Sequence, residues 1–121
     1  MGLHRLTINR RAFEYIKKGI KTIEGRLKKG YFISNPIVSG DIIIFENSNE
    51  QLTTNVVKIH EYININECVN SISINSLSPY FDSSIEIIKH YNKFYSKKQL
   101  NELPFLAIDL ICLSKITLNN A

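Results

Sequence analysis

At 121 residues the chain has room for one sizeable core but not for two independent ones, so a single domain spanning residues 1–121 is expected. With 44% hydrophobic and 21% charged residues it has ordinary globular composition, which argues against disorder. Fifteen Lys and Arg against eleven Asp and Glu give a net charge of +4, a mild excess that suits a polyanion partner without demanding one.

No apolar run approaches the ~20 residues of a membrane span, and the N-terminus lacks the apolar core of a signal peptide. Cys68 and Cys112 stand far apart without CxxC or Cys/His spacing, so neither a disulfide framework nor a metal site is indicated. A cytoplasmic protein with no membrane partner and no cofactor is expected.

Leu3 to Ile8 alternates as a strand would, with Leu6 and Ile8 inward. Asn9 suits a helix N-cap, and Arg10 to Lys18 carries Phe13, Ile16 and Ile20 on one apolar stripe. Lys17 and Lys18 fall in the last turn, where they suit either the negative end of the helix dipole or a phosphate. Gly19 is where the helix must stop. Thr22, Glu24 and Arg26 then share one face of an extended segment, with Ile23 and Leu27 on the other and Gly25 between them. A hydroxyl, a carboxylate and a guanidinium at two-residue spacing, with the Lys21 ammonium beside them, can read donor and acceptor edges of a polar ligand. Lys28, Lys29 and Tyr31 continue the basic character and add aromatic surface, the combination that single-stranded nucleic acid uses.

Ser39-Gly40-Asp41 turns the chain into Ile42-Ile43-Ile44-Phe45, a run of the kind buried on both faces of a sheet. Leu52 to Tyr62 reads as its hairpin partner, with Val57 and Ile59 inward. His60, alone on that strand, stays outside the catalytic set. A short helix is expected around Glu67 to Ile72. A long one is expected over Tyr80 to Tyr95, with Phe81, Ile85 and Ile88 at helical spacing and Asp82 or Ser83 as cap. Ser96 to Leu103 suits one more helical turn before Pro104, and Phe105 to Leu113 a central strand interrupted only by Asp109. The last few residues are polar.

Asn9 to Leu27, with Gly40 to Phe45 and Leu106 to Leu110, resembles the ASCH domain family of the PUA-like superfamily. The most specific part is the pattern met here as Gly19, Lys21, Thr22, Glu24 and Arg26. The resemblance implies an α+β fold, a small PUA-like β-barrel of five to six strands with two main flanking helices. It also implies a cleft for RNA or a nucleobase-like ligand, contacted by Lys21, Thr22, Glu24, Arg26, Lys28, Lys29 and Tyr31. Some relatives are acetylcytidine amidohydrolases, in which a lysine corresponding to Lys21 activates a threonine at the position of Glu24; ribonuclease activity belongs to others. The alternative to a binding module is therefore a hydrolase using Lys21 and Glu24, with Thr22 as the one hydroxyl left in the motif. Glu24 is not the hydroxyl such a reaction needs, and its charge is expected to raise the Lys21 pKa. Glu24 is expected instead to accept from an amino group of a bound base or to pair with Lys21 or Arg26.

Overall fold

The computed structural model describes residues 2–117, with side chains through Leu113; the polar tail lies outside the described residues. Strand β1 (Leu3–Thr7) buries His4 and Leu6 and exposes Leu3, Arg5 and Thr7, the alternation of a strand covered on one side. Asn9 accepts a hydrogen bond from the Ala12 amide at 2.8 Å and opens α1 (Arg10–Lys17), satisfying a donor that a helix start leaves unpaired. Ala12, Phe13 and Ile16 form its buried side. Gly19 reverses the chain at φ +77°, a left-handed conformation that costs glycine little. Ile20 lies beyond the reversal and is half exposed, so the expected apolar stripe ends at Ile16.

After β2 (Ile23–Leu27) comes a single helical turn, α2 (Tyr31–Ser34), and then β3 (Ile42–Asn47) and β4 (Glu50–Tyr62) as an antiparallel hairpin. Four helices follow: α3 (Ile65–Ser71), α4 (Ile74–Leu77), α5 (Ser84–Tyr91) and α6 (Lys97–Glu102). Strand β5 (Phe105–Thr117) closes the described chain. The five strands run in the order β1-β3-β4-β5-β2, with only β1 and β3 parallel. Among the described residues the result is an α+β half-barrel with six helices. Among the described residues the sheet does not close on itself: β1 and β2 are its two edges. Among the described residues no helix is long and apolar enough to cross a membrane.

Successive residues of β5 alternate between two cores. Leu106, Ile108 and Leu110 pack with Phe13, Ile16 and Phe32 on one side of the sheet. Phe105 and Ala107 pack on the other with Leu27 and with Cys68, Leu77, Ile87 and Leu100 of the helical layer. Burial on both faces explains why this strand reads as an apolar run broken only by Asp109. Asp109 is half-buried, 4.0 Å from the Lys58 ammonium.

Two expectations shift in register. In β4 the inward residues are Leu52, Thr54 and Val56, and Val57 is exposed. A register shift between Val56 and Lys58 absorbs one residue, so Ile59 returns to the core face three positions after Val56. The long helix expected over Tyr80 to Tyr95 is confined to α5, capped by the Ser83 hydroxyl. It buries Ile87 while Ile85 points outward.

Candidate functional site

Behind α1 the amides of Ile20 and Lys21 both bond the Tyr15 carbonyl at 3.0 Å, and the Thr22 amide bonds the Ser76 carbonyl at 3.0 Å. This reversal aims Lys21 into the protein. Its ammonium donates to the carbonyls of Ile23 and Leu77 and lies 3.3 Å from Glu24 Oε1. Three acceptors thus surround a group with three N–H donors, which leaves none for a ligand. Glu24, 6% exposed, accepts from Arg26 Nε through Oε2 at 2.6 Å. Arg26 Nη2 in turn donates to the Thr7 carbonyl at 2.9 Å, a bond that crosses from one sheet edge to the other.

The row Lys21, Glu24, Arg26 carries a net +1. Burial pushes the Glu24 carboxyl up, but the charges of Arg26 and Lys21 outweigh it and hold the carboxyl below its usual value. Burial also dominates at Lys21, drawing it below the usual lysine value against the opposing pull of Glu24. The expected upward shift of Lys21 is therefore reversed in sign, because desolvation exceeds the attraction of one carboxylate that Arg26 shares.

This row forms the polar floor of a cavity of about 390 Å³, which also takes in Asn9 and Ser78. Its walls are aromatic: Tyr80, His90, Tyr91, Phe94 and Tyr95. The Arg11 guanidinium stacks over the Tyr80 ring at 4.2 Å, and His90 meets Phe94 edge to face at 5.4 Å. Burial pushes the Tyr80 phenol up to about 12 and Tyr91 well above its usual value, so both walls are neutral. Tyr91 Oη donates to the Gly25 carbonyl at 2.8 Å and fixes the wall to the floor. Gly25 is required there, since a Cβ would lie 2.8 Å from the Phe105 ring and 2.9 Å from Tyr91 Oη.

A small cavity with an apolar wall and a few convergent polar groups is the ordinary form of a small-molecule site. The model of the ASCH domain matches residues 6–108, which include α1, β2 and the whole polar row. The chain belongs to the ASCH domain family. Among solved structures this ASCH domain is similar to hypothetical protein PH0355, with a TM-score of 0.81 at 30% identity over 92% of this chain and 99% of that one. Protein PF0455 from Pyrococcus furiosus gives 0.73 at 27% identity, over 93% and 98%. ZmASCH from Zymomonas mobilis, at 12% identity, shares the fold alone, with a TM-score of 0.63 over 95% of this chain and 73% of that one. No curated protein matches.

Of the motif residues, this ASCH domain brings Lys21, Glu24 and Arg26 together and leaves Thr22 out. Thr22 precedes β2, its backbone bonds Ser76 and Leu110, and its exposed side chain lines a separate hollow of about 510 Å³ with Lys17, Lys18, Ile111 and Leu113. Lys28 forms an exposed ion pair with Glu61 at 2.8 Å. Lys29 stands nearer the cavity, its ammonium 5.7 Å from the Tyr95 ring. Tyr31 does not line the cavity; its hydroxyl bonds His4 Nδ1 at 2.7 Å, and His4 Nε2 meets buried Asp41 at 2.9 Å. Sequence reasoning missed the aromatic wall. The signal was there: residues 80–95 hold five of the twelve Tyr and Phe, a density that a single core-facing stripe does not use.

Proposed function

We propose that the 121 residues form one cytoplasmic ASCH domain that binds a nucleobase, in RNA or in a modified nucleoside, without turning it over. The observation that carries this reading is the ionised Glu24 between Lys21 and Arg26 on the floor of an aromatic-walled cavity. Aromatic faces stack a base, and the floor offers its edge both acceptors and donors. Against hydrolysis stand the three filled donors of Lys21, since accepting a proton would require it first to give up a hydrogen bond to a buried acceptor. Thr22, the hydroxyl of the motif, faces another hollow. Thermal unfolding with single-stranded pentanucleotides tests binding: at about 100 times the dissociation constant a ligand adds about 2.7 kcal/mol. Incubation with acetylcytidine tests turnover, and no deacylation is expected. Rapid deacylation that Glu24→Ala abolishes would overturn the binding reading.

A further inference from the structure

We infer that the floor of the cavity reads a guanine-type edge, a ring N–H beside an exocyclic amine with a carbonyl beyond. The inference rests on the nucleobase reading and adds which base the site selects. It follows from counting what Lys21, Glu24 and Arg26 have left once their contacts with one another are made.

Lys21 has nothing left. Its three donors meet Ile23, Leu77 and Glu24, so it is a positioning residue that holds the carboxylate in place. Each Glu24 oxygen has one protein partner, Lys21 on Oε1 and Arg26 on Oε2, and a carboxylate oxygen accepts two hydrogen bonds. Two acceptor sites side by side therefore remain on a residue that lines the cavity. Arg26 has five N–H donors, of which one meets Glu24 and one meets the Thr7 carbonyl. Three remain beside the carboxylate.

Guanine matches this row: N1–H and the N2 amine donate to the two Glu24 oxygens, and O6 accepts from Arg26. Adenine and cytosine each set a ring acceptor next to their amine, which places a lone pair against a carboxylate oxygen. Uracil has one ring N–H between two carbonyls and leaves one oxygen unmet. The +1 charge of the row also disfavours cationic ligands with a similar donor pair, such as a guanidinium or a ring-methylated cationic base. Tyr80, Tyr91 and Tyr95 supply faces for the ring, with Phe94, two-thirds exposed at the rim, available to a neighbouring base.

Titration calorimetry on the whole protein decides it, using uridine pentanucleotides with a central guanosine, inosine, adenosine or cytidine, and the all-uridine pentamer. Guanosine is expected to bind best, and inosine, which lacks only the exocyclic amine, about tenfold or more weakly, because one buried Glu24 oxygen loses its donor. Free guanosine and inosine are expected to keep that ratio, and whether guanosine or its pentamer binds more tightly identifies the natural source. Glu24→Gln, which turns one acceptor into a donor, is expected to erase the guanosine-over-inosine preference. Should that variant not fold, the five pentamers on the unaltered protein still decide. Equal binding of guanosine and inosine, or a preference for adenosine, cytidine or uridine, overturns the guanine reading and leaves the nucleobase reading standing. No binding of any pentamer or nucleoside overturns both.

Discussion

Lys21 contributes to folding directly and to a ligand only by holding Glu24 in place. Its ammonium satisfies two backbone carbonyls and part of a buried carboxylate, so Lys21→Met keeps the volume but strands all three acceptors. Breaking a buried pair from one side typically costs 3–5 kcal/mol. Urea unfolding of Lys21→Met is expected to show a loss of about that size, with the residual Arg26 pairing keeping it from being larger. Glu24 makes the complementary statement in pH. Its folded pKa lies below the usual 4.5, so the unfolded chain binds the proton more readily. The stability it supplies is complete above about pH 4.5 and falls away as the pH drops through the folded value. Buried Asp41, held down by the amides of Val38 and Gly2 and by His4 against its own desolvation, behaves in the same direction. Stability measured from pH 6 downward is therefore expected to decline below pH 4.5, and Glu24→Gln is expected to remove part of that decline while leaving the Asp41 share.

At the level of elements, strand β2 succeeds because its two faces have different employers. Glu24 and Arg26 face the cavity, Ile23 and Leu27 face the helical core, and Gly25 lets Tyr91 and Phe105 close over the backbone. Gly25→Ala is expected to cost about 1–3 kcal/mol by overpacking. It should lower the urea midpoint with little change in slope, and it should weaken ligand binding too, because Tyr91 is both the obstructed neighbour and a cavity wall. This strand was legible in the sequence because period two, two glycines and a charge row agree within eleven residues. The Asn9 cap and the Gly19 stop were legible for the same reason: each depends on one residue and its immediate neighbours. Val57 was misplaced because the bulge that flips its side chain is fixed by pairing with β5, some fifty residues away. Thr22 obeys period two in the sequence but leaves the strand in three dimensions, where Ser76 captures its amide. The aromatic density of residues 80–95 marked the wall, but which rings face the cavity depended on how α5 and its flanks dock against β2, and no local pattern encodes that docking.

For the whole molecule, the net charge of +4 favours a polyanion, and the two lysines that follow β2 stand differently toward the cavity. Lys28 is engaged with Glu61, whereas Lys29 stands by Tyr95 at the cavity wall. RNA affinity is expected to fall as salt rises, through loss of counterion release. Lys29→Ala is expected to lower the slope of log affinity against log salt by about 0.7, the value for one single-strand phosphate contact, and Lys28→Ala by less. Binding that ignores salt would point to a small neutral ligand. The open half-barrel has a last consequence. Its outermost strands, β1 and β2, are not paired to each other, and the Arg26 side chain reaches from one to the Thr7 carbonyl of the other. Arg26 is thus a clasp, and a ligand that orders it fastens the parts of a sheet that fray most readily. Hydrogen exchange should then register occupancy as slower amide exchange along β1 and β2, while β4, already hydrogen-bonded on both sides, changes least. The ligand and the seam of the barrel would close as one event.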